Sequence, residues 1–500
     1  MTVQQVLIDG QWTTSVGTST FHAVNPGTKE PLPDKYPISP WAEVVRAIDA
    51  ASRAAAITRD WTGDRIAPFL EKFADRIDAR AAELVQVANL ETALPVQPRL
   101  KDAELPRTSN QLRQAAQAAR DGSWSMPTID TTPNIRSMLR PIGPVVVFGP
   151  NNFPFAFNSV AGGDFAAAVA AGNPVIAKGH SSHPGTTRLL AEEAQLAAGE
   201  TGMPNGFVQL IYRTTHDDGK RLVSHPSIGA SGYTGSRSAG TQLKEAADKV
   251  GKPIYLELSS INPIFILPGA IRERCGALAE QFASSCLMGV GQFCTNPGLI
   301  VVKSGPETED WIRQVAERFQ AAPVGTLLGP GVQSHLESGL QTLIAHGATA
   351  VTGGSSGGGA GYCCQNTLLR VTGAQFIASP AALQTEAFGN ASLVVVVESD
   401  SEFVAVTNAL EGNLTGCLYT AADGSDDALY DQVAPVLRQK VGRLLNDKMP
   451  TGVAVVPAMN HGGPFPATGH PGFTAVGIPA SLRRFAMLQC YDGVRPHRLP

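Results

Sequence analysis

PIGPVVVFGPNNFPFAFNSVAGGDFAAAVAAGNPVIAK, residues 141–178, decides the fold class. VVVF at 145–148 is a short β-branched run bounded by Gly and Pro, the pattern of a strand buried on both faces. The Ala-rich SVAGGDFAAAVAAG predicts a helix, and NPVIAKG predicts a second buried strand. Downstream, HPGTTRLLAEEAQLAA predicts a helix, FVQLIY a strand and SAGTQLKEAADKVG another helix. Strand, helix, strand in this order implies parallel βαβ units, whose ligands sit at the C-terminal strand ends.

Working outward, residues 41–122 are rich in Ala, Leu, Arg and Glu at helical spacing, as in WAEVVRAIDAASRAAA. Residues 123–142 alternate polar and apolar side chains like a hairpin (MPTIDTT, NIRSMLR), and the C-terminal tail is similarly detached. Either offers an edge for subunit assembly. Beyond residue 253, PIYLELSSINPIFIL, a helix through LAEQFASSCLMG, GLIVVK and ASLVVVVES repeat the α/β alternation in a second unit. GGSSGGGAG at 353–361 predicts a flexible surface loop.

A chain of 500 residues is long enough for two or three packed domains. With 43% hydrophobic residues, 16% charged residues and a formal net charge of -4, it reads as an ordinary globular protein with no nucleic-acid partner. The N-terminal stretch lacks a basic region followed by an apolar run, and no segment reaches the roughly 18 apolar residues of a membrane span. Seven cysteines in so long a chain are odd in number and too sparse for a disulfide framework, so a cytoplasmic protein with free thiols is expected. No CxxC pair occurs and no His cluster has zinc-ligand spacing, so no metal site is expected.

Within GQFCTNPG at 291–298, Cys294 lies just past an apolar helix, between Gly291 and a Pro-Gly pair that forces a loop. A thiol there is presented, whereas Cys286, within the helical pattern, reads as a core cysteine. A free thiol is only about 3% thiolate at pH 7, so a nucleophilic one needs a base or an electropositive setting. Glu257, in the apolar run YLELSSINP, suits that base if burial raises its pKa toward neutrality. Its position equally suits an acid paired with a cation or lying on a solvated edge. In FGPNNFPFAFN, two asparagines pinned by Pro150 and Pro154 follow the first buried strand. They can supply an oxyanion donor or simply turn the chain. No GxGxxG follows a strand. Gly235 and Gly240 in TGSRSAG lack the Lys and Ser/Thr of a Walker loop, yet a glycine turn opening a helix is a workable pyrophosphate cradle.

Taken together, GPNNFP, AAGNPVIAKGH, GYTGSRSAG, ELSSINP, GQFCTNPG and TEAFGN occur in the order of the aldehyde dehydrogenase superfamily, a resemblance spanning about residues 140–470. The resemblance implies an α/β fold with a Rossmann-type cofactor domain (1–122 and 143–253), an α/β catalytic domain (254–469) and a small β oligomerisation extension (123–142 and 470–500). It implies Cys294 as the nucleophile, Glu257 as the base, and Asn152, with the Cys294 backbone N–H, as holder of the oxyanion. The family's tryptophan before that asparagine is here Asn151. The cofactor residues it implies are Lys178 at the adenosine ribose, Gly235 and Ser236 at the pyrophosphate, and Glu386 and Phe388 at the nicotinamide ribose.

Where NAD-preferring members often carry a glutamate, this chain has Ser181. A 2′-phosphate is then not repelled, and Lys178 with Arg213 can pair with it unless Arg213 is an ordinary surface residue. NADP is therefore the expected cofactor, with NAD possible. GQFCTNPGL, ELSSINP, HGGPFPAT (461–468) and PTGV (450–453) most resemble the α-ketoglutaric semialdehyde (2,5-dioxovalerate) dehydrogenase branch, which implies oxidation of 2,5-dioxopentanoate to 2-oxoglutarate. A neighbouring branch acts on fatty aldehydes. An anionic substrate needs a cation near the tunnel mouth, and Arg107 is the candidate, or else a solvated helix charge. A homodimer or homotetramer is expected. A cofactor-independent cysteine hydrolase using the same thiol, and a non-catalytic structural relative, are the readings from other classes.

Overall fold

The structure, a computed structural model, describes residues 3–500. VVVF forms the strand Val145–Phe148, with all four residues buried. It pairs in parallel with Val175–Lys178 on one side and Ala230–Thr234 on the other. The seven-stranded sheet runs Ile254–Glu257, Ala230–Thr234, Val145–Phe148, Val175–Lys178, Val208–Ile211, Val6–Ile8, Gln11–Thr13. Its first five strands are parallel. After Val145–Phe148 the chain winds outward through the strands at 175 and 208, then returns to the other side at 230 and 254. That reversal is a topological switch point, and the loops leaving Phe148 and Thr234 flank its crevice.

Residues 41–121 form the expected helices, Trp41–Thr58, Gly63–Ala79, Ala81–Thr92 and Leu105–Asp121, interrupted by an irregular helical turn at Val96–Glu104. A second seven-stranded sheet contains Ile264–Ile266, Leu299–Lys303, Ala391–Val397 and Asn413–Tyr419 at its centre. Both apolar runs GLIVVK and ASLVVVVES lie there, pairing in parallel. A three-stranded antiparallel sheet joins Thr128–Asp130, Ile135–Pro141 and Ala486–Asp492.

Two expectations change. Ile254–Glu257 pairs with Ala230–Thr234, so the first sheet extends past the boundary drawn at residue 253. An apolar strand carries no mark of which of two parallel sheets it will join. The glycine-rich loop at 353–361 is pinned rather than free: Tyr362 N–H donates to Pro26 C=O at 3.1 Å, and a Cβ at Gly361 would meet that oxygen at 2.0 Å. Gly353, Gly359 and Gly361 serve close backbone approach, since a Cβ at each would strike a backbone oxygen. No helix among the described residues is long and apolar enough to cross a membrane.

Candidate active site

Four segments meet beside the first sheet. Glu257 ends the strand Ile254–Glu257. Cys294 follows the helix Pro268–Leu287 through a tight turn in which Gly289, Val290 and Gly291 all take positive φ. Val290, at φ 60°, is a β-branched residue held in the left-handed region, a strained conformation next to a reactive thiol. Gly291 admits no side chain, since a Cβ would lie 2.0 Å from Gly389 C=O. The loop is fixed from a third side by Asn262, whose Nδ2 donates to Cys294 C=O and Asn296 C=O, both at 2.9 Å.

The fourth segment carries a residue that received no role from the sequence. His461 Nε2 lies 3.3 Å from Cys294 Sγ and 2.8 Å from Glu257 Oε1. His461 and Glu257 are both buried, and Cys294 is half-buried. A thiol, an imidazole and a carboxylate in contact form a nucleophile with a proton acceptor that is itself oriented by a third group. The expected upward pKa shift of Glu257 is corrected. Burial does push its carboxyl up, but the charge and hydrogen bond of His461 outweigh burial and hold it below the usual carboxylate range. Burial and then the negative charge of Glu257 push the Cys294 thiol well up, so the resting thiol keeps its proton.

Asn152, 6% exposed, donates from Nδ2 to Gln292 C=O at 3.0 Å, two residues before the cysteine. One amide proton holds the loop and the other is left for a substrate oxygen. Arg99, also not singled out in the sequence, supports this loop: Nη2 donates to Asn152 C=O at 3.0 Å, and its guanidinium lies over the Phe153 and Phe293 rings. It pairs with the fully buried carboxylate of Glu104, whose Oε1 accepts from Phe155 and Ala156 N–H.

Arg107 is not a solvated helix charge. It lies over the Phe153 and Phe157 rings, and its Nε and Nη2 are buried without a hydrogen-bond partner. Cys286, by contrast, is fully buried in the core.

The residues implied for a dinucleotide fit one. Ser236 caps the helix Arg237–Asp248 at the switch-point crevice, its hydroxyl accepting from Ala239 N–H. Lys178 ends its strand with an ammonium that burial, then Arg213, holds down at about 8. Arg213 is exposed and near enough to Lys178 for their charges to repel, and Ser181 follows the strand end by three residues. Glu386 accepts from Ser260 N–H at 3.1 Å, and burial pushes its carboxyl up to about 7. With Phe388, Gly291 and Phe293 it lines a small cavity.

The profile described as "Aldehyde dehydrogenase family" matches residues 12–438. Alpha-ketoglutaric semialdehyde dehydrogenase 2 of Azospirillum brasilense is 40% identical over 96% of this chain and 93% of that protein. Alpha-ketoglutaric semialdehyde dehydrogenase of Acinetobacter baylyi is 34% identical over 99% of this chain and 94% of that protein. Among solved structures, lactaldehyde dehydrogenase from Escherichia coli has the same fold, with a TM-score of 0.84 over 98% of each chain at 22% identity.

Proposed function

We infer that this chain, which belongs to the aldehyde dehydrogenase family, converts 2,5-dioxopentanoate to 2-oxoglutarate through a thioester on Cys294, with NADP as the preferred cofactor. Its chemistry as a family member is NAD(P)-dependent oxidation of an aldehyde. The observation that carries the residue assignment is the contact chain Cys294–His461–Glu257.

As the aldehyde carbon approaches, the Cys294 proton passes to the Glu257–His461 pair, with the carboxylate as the accepting end and His461 Nε2 holding it by a hydrogen bond. Sulfur bonds to the carbon, and the oxygen takes up negative charge facing the second Asn152 amide proton and the Cys294 N–H. A bound dinucleotide would supply the hydride acceptor needed to oxidise this thiohemiacetal to a thioester. After releasing the first proton to solvent, the Glu257–His461 pair takes a proton from the water that attacks the thioester carbon and returns it to the departing thiolate. Lys178 would hold the adenosine ribose, Gly235 and Ser236 the pyrophosphate, and Glu386 with Phe388 the nicotinamide ribose. With Ser181 in place of a carboxylate, a 2′-phosphate would not be repelled and could pair with Lys178 and Arg213.

The substrate assignment rests on Arg107 together with the two relatives. Arg99 commits both of its terminal nitrogens, to Glu104 and the Asn152 carbonyl, whereas Arg107 beside the phenylalanine rings keeps Nη2 as well as Nε unpartnered. A carboxylate at the far end of a short aldehyde satisfies them. The same rings would suit an aliphatic chain, which is the second reading. Steady-state comparison of 2,5-dioxopentanoate, succinic semialdehyde, glutaraldehyde and long-chain aldehydes, each with NADP and NAD, tests both. The oxo-acid aldehyde with NADP should give the highest kcat/KM. A maximum for long aliphatic chains overturns the substrate assignment, and ester cleavage without any aldehyde-dependent dinucleotide reduction overturns the dehydrogenase.

A further inference from the structure

Ligand spacing along the chain offers no metal site, but the fold assembles one set of donors. The thiol of Cys294, the imidazole of His461 and the carboxylate of Glu257 come from three distant segments, and their ligand atoms all lie within 4.8 Å of one another. We propose that these three side chains form a reversible binding site for a soft divalent cation, Zn2+, whose occupation shuts the enzyme off. The proposal deepens the reading of Cys294 as nucleophile and rests on it.

The donor types select the metal. One thiolate, one imidazole and one carboxylate suit Zn2+, whereas Mg2+ and Ca2+ take oxygen ligands. Tetrahedral zinc bonded to S, N and O at its usual distances separates the donors by roughly 3.4–3.6 Å. The sulfur–nitrogen separation is 3.3 Å and the nitrogen–oxygen separation 2.8 Å, so an opening of about half an ångström admits the ion. A second observation points the same way: Glu257 Oε2 is buried with no hydrogen-bond partner, an acceptor that the protein leaves unsatisfied. The two anionic ligands match the charge of the ion, so the occupied site is neutral. Zn2+ displaces the thiol proton to solvent and takes the Nε2 position from the proton shared with Glu257, leaving His461 a neutral ligand. Three protein ligands leave a fourth position for water.

The ligands are already held. Asn262 fixes the Cys294 carbonyl, Thr474 Oγ1 accepts from His461 N–H at 2.8 Å, and Glu257 bridges to Thr468 through its backbone. These contacts fix the backbone that carries each ligand.

The test titrates the purified full-length protein with Co2+ as a spectroscopic substitute, then displaces it with Zn2+, and follows activity in parallel. A thiolate-to-cobalt charge-transfer band should appear, vanish with Zn2+, persist in Cys286→Ala and be missing in Cys294→Ser. His461→Gln should weaken Zn2+ binding by about tenfold or more. Zn2+ should inhibit and a chelator should restore full activity. Circular dichroism verifies that each variant is folded. No band in the wild-type protein, a band that survives Cys294→Ser, or equal Zn2+ affinity in His461→Gln overturns the proposal. Failure of the catalytic reading looks different: Cys294→Ser would still oxidise aldehyde, whatever the metal does.

Discussion

Replacing His461 with Gln keeps a hydrogen-bond donor beside Glu257 but removes the imidazole that shares its proton with the carboxylate and contacts the thiol. Nε2 stands 3.3 Å from Sγ and 2.8 Å from the carboxylate, within reach of both. A positioned acid–base group is worth about 10²–10⁴ in rate, or roughly 3–5 kcal/mol. Glu257 remains close to the thiol and can accept its proton less well, so a loss near the lower end, about 10²-fold in kcat/KM, is expected. Burial raises the thiol pKa in wild-type protein, and without the imidazole nothing nearby accepts the proton as readily. Alkylation of Cys294 by iodoacetamide at pH 7, located by peptide mapping, should therefore slow in parallel with aldehyde oxidation. Alkylation and kcat/KM both within about threefold of wild type would refute the relay.

Three further predictions follow from other parts of the molecule. Arg107→Leu removes a charge-assisted bond worth about 1.5–3 kcal/mol, so kcat/KM for 2,5-dioxopentanoate should fall about 10–150-fold while a neutral aldehyde of similar length changes little. An equal loss on both substrates would contradict the anchor. Ser181→Glu should shift the NADP to NAD ratio of kcat/KM toward NAD by about tenfold or more through repulsion of the 2′-phosphate, and an unchanged ratio argues against the Lys178–Arg213 subsite. Buried Glu91, which caps the helix Pro184–Glu200 through Gly185 and Thr186, has its carboxyl pushed up from 4.5 to about 7 by burial. The folded state then binds more protons than the unfolded one between those values, so this group's contribution to stability falls as pH rises through the window, by about 3 kcal/mol in total. Glu91→Gln should remove that slope, and a urea-midpoint difference between wild type and variant that stays constant from pH 5 to 7 would refute it.

The parts legible in the sequence are those written locally. VVVF, VIAK and SLVVVV are continuous apolar runs with turn signals at their ends, and each became a buried strand. The loop around Cys294 announced itself through its glycines and Pro-Gly pair. The pairing of Glu257 with His461 spans 204 residues, so no periodicity or spacing encodes it, and the expected upward pKa shift omitted the imidazole partner that decides its sign. His461 stood within a quoted motif, but a histidine between Asn and two glycines has no local signature of proton transfer. Arg99 lies in an irregular turn without helical patterning, and its roles at Asn152, Phe153 and Phe293 exist only once the chain has folded.

The most direct test of the central claim is to quench the enzyme during turnover of 2,5-dioxopentanoate with NADP and map the covalent adduct by peptide mass spectrometry. A 2-oxoglutaryl group on the peptide containing Cys294, formed only with the dinucleotide present and absent from Cys294→Ala, is the result predicted. An adduct on another cysteine, or undiminished oxidation by Cys294→Ala, would contradict the thioester mechanism.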